Sequence, residues 1–306
     1  MPSVSMIELR PLRQFVAVAE ELHFGRAAER LSMTQPPLTL AVQTLERRLG
    51  VQLFDRRRRA VALTAAGHVL LDEARRVLAA AQALPQAVQR AARGESGTLR
   101  LAFVSSIAYG ALPQWLRAYR AAHPGIALQL REATLDVQLA AFDADEIDAG
   151  LVLHAPGAPP VGLSTLPVLS EPLWLALPEG HPAAERKSVR VSELTGTPLL
   201  IFPRTVTPSL YDAIMATQAE RGWSPTVVQE AIQMQTLVNL VSAGIGVAWV
   251  PQTVTLLQRP GVVYRRPAGP ALTAQTSLVW REPALPVVVR FVEQVRGAMR
   301  RQSRSS

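Results

Sequence analysis

Residues 34–50 read TQPPLTLAVQTLERRLG and predict a helix that begins with two prolines. Thr34 can cap its start, and Pro36 and Pro37 fall in the first turn, where their missing N–H groups leave no helical hydrogen bond unmade. The apolar spacing predicts a buried side made of Leu38, Val42, Leu45 and Leu49. The outward side is then made of Gln35, Thr39, Leu40, Gln43 and Thr44, and Gly50 ends the helix.

The segments on either side of this helix predict a helix-turn-helix with a wing. Upstream, apolar spacings of three and four predict a helix over residues 8–21 and a short one through Ala27, Ala28 and Leu31. Downstream, apolar stretches at 51–54 and 60–63 flank an acid and four consecutive arginines, which predicts a β-hairpin. Such a unit places one helix in the DNA major groove and its basic loop on the adjoining backbone or minor groove.

Residues 64–93 predict a long helix with a heptad pattern. Its core positions are Gly67, Leu70, Ala74, Val77, Ala81, Leu84, Val88 and Ala91. Such a stripe favours pairing with a second copy, and the alternative is a surface helix packed on its own chain. Pro85 is expected to kink or end the helix near Leu84.

From residue 94 onward the pattern changes to short β-rich runs that alternate with helical ones. Two such sets, at 99–153 and 171–250, predict an α/β domain of two lobes with a parallel sheet. A final helix over 285–300 is expected to pack on one lobe.

Excess positive charge lies in the first third of the chain and in its last eleven residues, which contain four arginines and no acid. Residues 1–93 carry 14 basic and 8 acidic residues, whereas residues 94–295 carry 14 basic and 16 acidic residues. The asymmetry favours a polyanion-binding module joined to a near-neutral body, because basic side chains displace counterions from phosphates. A solvated basic surface explains the charge alone equally well.

Several enzyme and metal classes are disfavoured. The chain has no cysteine, its five histidines lack zinc spacing, and Gly244 and Gly246 follow a helix rather than a strand. A triad of Ser105 or Ser106 with His154 and Asp148 has no supporting spacing. We therefore expect no catalytic residues, no metal and no cofactor. The first residues lack a signal peptide and the apolar stretch 237–251 is too short to span a membrane, which predicts a cytoplasmic protein without membrane contact.

Helix starts in the α/β domain point to a ligand site. Ligands of open α/β sheets lie beyond the carboxyl ends of the strands, where helix N-termini offer free N–H groups. The candidates there are Ser105, Ser106, Thr134, which can cap the next helix, and the loop with Pro203 and Arg204. Hydroxyls, N–H groups and one arginine favour a small carboxylate. The alternative is that Ser106, Thr134 and Thr207 are only helix caps.

Six segments of the first third resemble the LysR-type transcriptional regulators. They are residues 15–20 (FVAVAE), 24–31 (FGRAAERL), 34–38 (TQPPL), 45–46 (LE), 49–56 (LGVQLFDR) and 63–67 (LTAAG). The resemblance implies an α+β multidomain fold. Its expected parts are a winged helix-turn-helix over 1–63, a linker and dimerisation helix over 64–93, and a two-lobed, periplasmic-binding-protein-like effector domain over 94–306.

The resemblance also implies which residues contact DNA. Gln35, Pro36, Pro37 and Thr39 match the family's groove-facing helix start, and the four arginines match its wing. With their outward neighbours, the expected set is Thr34, Gln35, Pro36, Pro37, Thr39, Leu40, Gln43, Arg56, Arg57, Arg58 and Arg59. Many members have arginine where this chain has Leu40, so we expect readout here to depend more on wing contacts and DNA shape.

For the effector, the resemblance implies contacts at positions that match Ser106, Thr134 and the loop after the strand at 199–202. The full candidate set is Ser105, Ser106, Thr134, Phe202, Pro203 and Arg204. A short match at Pro208 and Ser209 resembles the subgroup that controls the breakdown of aromatic acids and catechol. His154 replaces an arginine found in some members, which weakens the case for a second carboxylate contact.

These expectations define a regulator of transcription. Its expected partners are double-stranded promoter DNA, a small organic acid effector, a second copy in a dimer or a dimer of dimers, and RNA polymerase. The alternative is a small-molecule-binding or enzymatic α/β protein whose basic module serves a contact other than DNA.

Overall fold

The computed structural model describes residues 7–55 and 61–302, without the side chain of the last one. The chain divides into two compact units, Met1–Gln89 and Arg90–Ser306. Within the described parts, no helix is both long and apolar enough to cross a membrane.

The first unit contains three short helices, a hairpin and most of a long helix. Their bounds are α1 Leu9–Glu21, α2 Phe24–Arg30, α3 Gln35–Leu49, β1 Phe54–Asp55, β2 Ala62–Leu63 and α4 Ala65–Ala92. The predicted buried side of α3 is confirmed for Leu38, Val42 and Leu45, whereas Leu49 is half-buried. Phe15 of α1 packs on Phe54 of β1, with ring centroids 5.4 Å apart, so the hairpin shares the core of the helices.

Helix α4 corrects the expected break at Pro85, because it runs through this residue for 28 residues. Proline removes one helical N–H donor. Side chains from 82 to 90 are exposed, so the ring has space and solvent reaches this turn. At the other end, Gly67 is required by close packing, since a Cβ there would lie 2.2 Å from the carbonyl oxygen of Leu53.

The second unit is built on one ten-stranded sheet. Its strands are β3 Gly97–Phe103, β4 Ile126–Glu132, β5 Ala149–His154, β6 Ser164–Pro178, β7 Ser188–Val189, β8 Leu199–Ile201, β9 Val227–Glu230, β10 Val247–Pro251, β11 Val262–Pro267 and β12 Thr273–Trp280. The main path has the order β4-β3-β5-β12-β6-β10-β8-β9.

The expectation of a parallel sheet is wrong, because the sheet is mixed. The trios β4-β3-β5 and β10-β8-β9 are each parallel, but β12 and β6 join them by antiparallel pairing. The 15-residue strand β6 pairs with β12 through its first part and with β10 through its last part. One long strand therefore spans both lobes.

Helices cover both lobes of the sheet. They are α5 Ser105–Ala108, α6 Leu112–Ala122, α7 Leu135–Asp143, α8 Pro208–Glu220, α9 Met234–Ser242 and α10 Pro286–Gln302, with 3-10 turns at Pro182–Glu185, Val191–Leu194 and Gln252–Leu256. As predicted, α10 packs on one lobe. Phe291 of α10 lies edge-on to Tyr119 of α6, whose hydroxyl donates to the carbonyl of Val287 at 2.9 Å. The predicted fold class is confirmed.

Candidate functional sites

The outward face of α3 is open to solvent. Thr34, Gln35, Pro36, Pro37 and Leu40 are exposed, and Thr39 and Gln43 are half-buried. Leu40 is 59% exposed, so it is not an extra core residue. Every member of the expected helix set therefore lies at the surface.

The expected cap at Thr34 is corrected. Thr34 is the N-cap residue of α3, but its side chain makes no capping hydrogen bond. An N-cap oxygen accepts from the second or third helical N–H, and here these positions are Pro36 and Pro37, which have none. The Thr34 hydroxyl is therefore left available for a contact outside the helix.

A groove of about 330 Å³ runs beside this face, between α1 and α3. Pro37 and Leu40 line it, together with Arg10 and Arg48. Both arginines are exposed. The sequence patterns did not predict these two arginines as phosphate contacts, because neither lies at the start of α3 or in the run from Arg56 to Arg59.

The hairpin is held to α3 by Glu46. Its side chain is 4% exposed and accepts hydrogen bonds from the backbone N–H groups of Leu53 at 2.9 Å and Phe54 at 3.3 Å. Sequence reasoning missed this residue, although its spacing from Val42 places it on the buried side of the helix. The hairpin arginines expected at DNA, Arg56 to Arg59, lie outside the described residues.

In the second unit a cavity of about 30 Å³ lies where helices follow strands from both lobes. Its lining is Val104, Ser105, Ser106, Ala133, Thr134, Leu153, Phe202, Val206, Thr207, Ile232, Gln233 and Met234. Four of the six expected effector residues meet there, namely Ser105, Ser106, Thr134 and Phe202. Pro203 and Arg204 do not belong to the lining.

Arg204 has a different partner. Its Nε and Nη2 donate to the two carboxylate oxygens of Asp212, both at 2.7 Å, at an exposed position. This hydrogen-bonded guanidinium lowers the pKa of Asp212. The arginine expected for a ligand carboxylate is therefore already paired with an acid on its own chain.

The Oγ of Ser106 is the most unusual atom of the cavity. The residue is 2% exposed, and within the described residues this hydroxyl has no hydrogen-bond partner. Eight other buried side-chain atoms of the described residues also lack a partner, but none of them belongs to the lining of this cavity. Leaving a buried hydroxyl unpaired costs on the order of 1–3 kcal/mol, so a ligand that accepts a hydrogen bond from Ser106 would remove this cost.

The alternative that Ser106, Thr134 and Thr207 are only helix caps is wrong. Ser106 lies inside α5, whose N-cap residue is Val104, and its hydroxyl makes no capping bond. Thr134, Thr207 and Gln233 are the N-cap residues of α7, α8 and α9, and none makes a side-chain capping bond. The expected cap at Thr134 is thus corrected, because its hydroxyl donates to the carboxylate of Asp136 instead. Three helix starts without side-chain caps therefore contribute residues to one cavity.

The catalytic triad considered from the sequence does not form. His154 is buried, and its Nδ1 and Nε2 lie 2.7 Å from the carbonyl of Ala155 and 2.8 Å from Ser277 Oγ. Burial lowers the pKa of His154, which favours a neutral ring. Asp148 accepts from Arg100, and no group of side chains that could hold a metal occurs in the described part of the chain.

Comparisons with known proteins find matches over nearly the whole length of this chain. Residues 9–68 match the family described as bacterial regulatory helix-turn-helix protein, lysR family, and residues 92–300 match LysR substrate binding domain. The HTH-type transcriptional regulator IlvR of Caulobacter vibrioides is 43% identical over 94% of this chain and 98% of its own. AlsR of Bacillus subtilis is 38% identical over 90% and 91%. The crystal structure of full-length CbnR complexed with its target DNA has 31% identity and a TM-score of 0.75, covering 96% of this chain and all of CbnR.

Proposed function

Because this chain belongs to the LysR family of bacterial transcriptional regulators, we propose that its first unit reads promoter DNA and its second unit binds a small carboxylate that alters this reading. The chain is a DNA-binding regulator with an effector-binding domain, and its family consists of transcriptional regulators rather than enzymes.

The exposed start of α3 supports major-groove contact. Gln35 and Gln43 can pair with adenine edges, and Leu40 can touch only a thymine methyl. CbnR, with which this chain shares its fold, has been crystallised with its target DNA. In our proposal Arg10 and Arg48 hold phosphates beside α3, and Arg56 to Arg59 hold the backbone or minor groove.

The unpartnered Oγ of Ser106 is the observation that carries the effector proposal. A carboxylate accepts hydrogen bonds but donates none, so it matches a site made of hydroxyls and helix N-terminal N–H groups. The positive ends of α7, α8 and α9 favour an anion without a charged side chain. Because Arg204 is paired with Asp212, these neutral donors replace the arginine that the sequence suggested.

The cavity is too small for an acid to enter unless the residues that line it move apart. About 30 Å³ is room for roughly two water molecules, which is too little for a carboxylate with a carbon body. The acid therefore binds an arrangement in which the lobes are further apart. An acid that prefers one arrangement tenfold biases the equilibrium by about 1.4 kcal/mol per site.

Helix α4 supports self-association. Val77, Leu84 and Val88 are 44%, 62% and 66% exposed, and all three belong to the predicted heptad stripe. A second copy of α4 would cover them. We propose dimers that pair into tetramers on two DNA sites and act through RNA polymerase.

The effector proposal is tested with full-length Ser106→Ala. The substitution removes one hydroxyl that has no hydrogen-bond partner among the described residues, so we expect the fold to be retained. We expect calorimetry with a binding acid to give at least tenfold weaker affinity than the wild type. Ser192→Ala, an exposed serine of the same unit, is the matched control and should bind normally. Equal affinity of Ser106→Ala and Ser192→Ala would remove the acid from this cavity.

A further inference from the structure

We infer that Glu171 and Thr253 form a pivot on which the end of α5 rests, and that this pivot sets the distance between the two lobes around the cavity. Neither residue lines the cavity, so both are positioning residues rather than ligand contacts. The inference rests on the proposed function for its regulatory meaning, because an acid needs the lobes to separate, but its test needs no acid.

Glu171 lies at the point where β6 passes from one lobe to the other. Its backbone pairs with Ala274 of β12, whereas the residues from Leu173 onward pair with β10. The residue is 5% exposed, and its two carboxylate oxygens accept from the N–H of Thr253 at 2.6 Å and from its hydroxyl at 3.1 Å. A buried carboxylate without these donors would be strongly unfavourable, so the link holds Thr253 at the crossing strand.

Thr253 belongs to the second lobe and faces a glycine of the first. Its 3-10 turn, Gln252–Leu256, follows β10, and Val254 of this turn is buried in the core of the second lobe. A Cβ built on Gly110 would lie 3.1 Å from Thr253 Cγ2, whereas its next neighbours would be 3.8 Å away. Because carbon atoms normally approach one another to about 3.5–4.0 Å, a side chain at residue 110 would press on the methyl group of Thr253.

Gly110 is connected to the cavity through α5. Ser105 and Ser106 of this helix line the cavity, and the N–H of Gly110 donates to the carbonyl of Ile107 in the last turn at 3.1 Å. Tyr109 packs against the core of the second lobe, so the end of α5 lies between the lobes. The link from Glu171 to Thr253 is polar and buried, whereas Gly110 and Thr253 meet only by packing. We therefore expect the lobes to turn where Gly110 rests on Thr253.

The sequence contains no cysteine, so a single introduced thiol can report on the cavity. In full-length Ser106→Cys, the thiol stands at a position that is 2% exposed, and its rate of alkylation by iodoacetamide measures how often the lobes separate. Adding Gly110→Ala inserts a methyl group against Thr253, and we expect alkylation to become about threefold faster or more. Adding Thr253→Ser as well removes the opposing methyl group but retains the hydroxyl that donates to Glu171, so the rate should return to its original value.

Two controls distinguish the pivot from a general loss of stability. Gly180→Ala adds a methyl group at an exposed glycine of the same unit, where no neighbouring atom of the described residues lies within 4 Å, and it should leave the rate unchanged. Ala102→Cys places a thiol at a fully buried position in the core of the first lobe. Gly110→Ala should not change the alkylation of that thiol, whereas partial unfolding would accelerate the alkylation of both thiols.

Glu171→Gln tests the link that holds Thr253. It replaces two hydrogen bonds to a carboxylate by weaker neutral ones, so Thr253 gives way more easily and Gly110→Ala should accelerate alkylation less in this background. Equal rates with and without Gly110→Ala, or a rate that Thr253→Ser fails to restore, would overturn the pivot. Neither result bears on the carboxylate proposal, which fails instead if Ser106→Ala and Ser192→Ala bind an acid equally well.

Discussion

The carboxylate of Glu46 accepts a hydrogen bond from the backbone N–H of Leu53 at 2.9 Å, which ties the recognition helix to the start of the wing. The neighbouring N–H of Phe54 donates to the same oxygen at 3.3 Å. One buried side chain of α3 therefore sets where the hairpin leaves the helical core. In a winged reader both elements must reach one DNA surface together, so we expect Glu46 to act on DNA binding through the position of the hairpin.

Replacement of Glu46 should affect stability and DNA binding together. Glu46→Ala leaves two buried N–H groups without this acceptor, and we expect a loss of about 2–3 kcal/mol in the free energy of unfolding. Glu46→Gln retains an acceptor oxygen and should lose clearly less. Urea unfolding and DNA titration of both variants measure this. Glu29→Ala removes the same charge at an exposed position, and an equal effect of Glu29→Ala and Glu46→Ala would count against the positioning role.

Leu40→Arg should change which base is preferred at one position of the DNA site. Arginine can donate two hydrogen bonds to a guanine edge, whereas leucine can contact only a methyl group. We expect a new guanine preference of about 1–3 kcal/mol in binding-site selection with the full-length protein. A preferred sequence identical to that of the wild type would mean that residue 40 does not face a base.

Arg10 and Arg48 should contribute to affinity without contributing to sequence preference. Each phosphate contact releases about one counterion, so log K falls as log salt rises. Arg10→Gln and Arg48→Gln should each make this fall shallower, reducing the magnitude of the slope by about 1. The measurement is a DNA titration at several salt concentrations on specific and non-specific duplexes. Arg120→Gln removes one exposed charge from the second unit and should leave the slope unchanged. Slopes that stay at the wild-type value in all three variants would place Arg10 and Arg48 away from the phosphates.

Leu84→Lys should weaken pairing of α4. Leu84 is 62% exposed and occupies a heptad core position, where a lysine would bury its charge in the paired state. Sedimentation velocity should show a shift towards smaller species. Gln86→Lys, which is exposed on the polar side of the same helix, should keep the wild-type distribution. If the two variants sediment alike, the heptad stripe does not form the contact between paired α4 helices.

The buried histidine predicts a pH dependence of stability. Burial lowers the pKa of His154 in the folded chain, so the unfolded chain binds the proton more readily. Its contribution is therefore present above the unfolded pKa of about 6.5 and is lost as the pH falls below it. His123 and His181 have pKa shifts in the same direction and from the same cause. Unfolding of His154→Gln should show a shallower loss between pH 7 and 5, and an unchanged slope would contradict this assignment.

Local patterns predicted the elements well and their tertiary relations less well. The apolar spacing of α3 identified Leu38, Val42 and Leu45 as buried because helix periodicity is a local property. The prediction of a parallel sheet is wrong because β12 lies between β5 and β6 and pairs with both of these strands, which are distant from it in sequence. The sequence patterns do not predict β12 as a strand. Local alternation of strands and helices contains no information about such a return strand.

The candidate sites show the same limit. Sequence order grouped Ser106 and Thr134 correctly around one cavity, since carboxyl ends of neighbouring strands meet. It also assigned Arg204 to that cavity, which is wrong. Arg204 pairs instead with Asp212, eight residues later, at an exposed position, and the order of residues does not predict which partner a side chain takes. The cap at Thr34 failed for a reason visible in the sequence, namely the two prolines that follow its neighbour Gln35.

The central claim is that the outward face of α3 reads bases in a duplex. Its most direct test is the ratio of affinities of the full-length protein for its selected site and for a scrambled duplex at one fixed salt concentration. In the double variant Gln35→Ala/Gln43→Ala, helix propensity is retained and two polar contacts with base edges are removed. We predict that this ratio falls at least tenfold while affinity for the scrambled duplex is unchanged. A ratio equal to that of the wild type would show that sequence is read elsewhere.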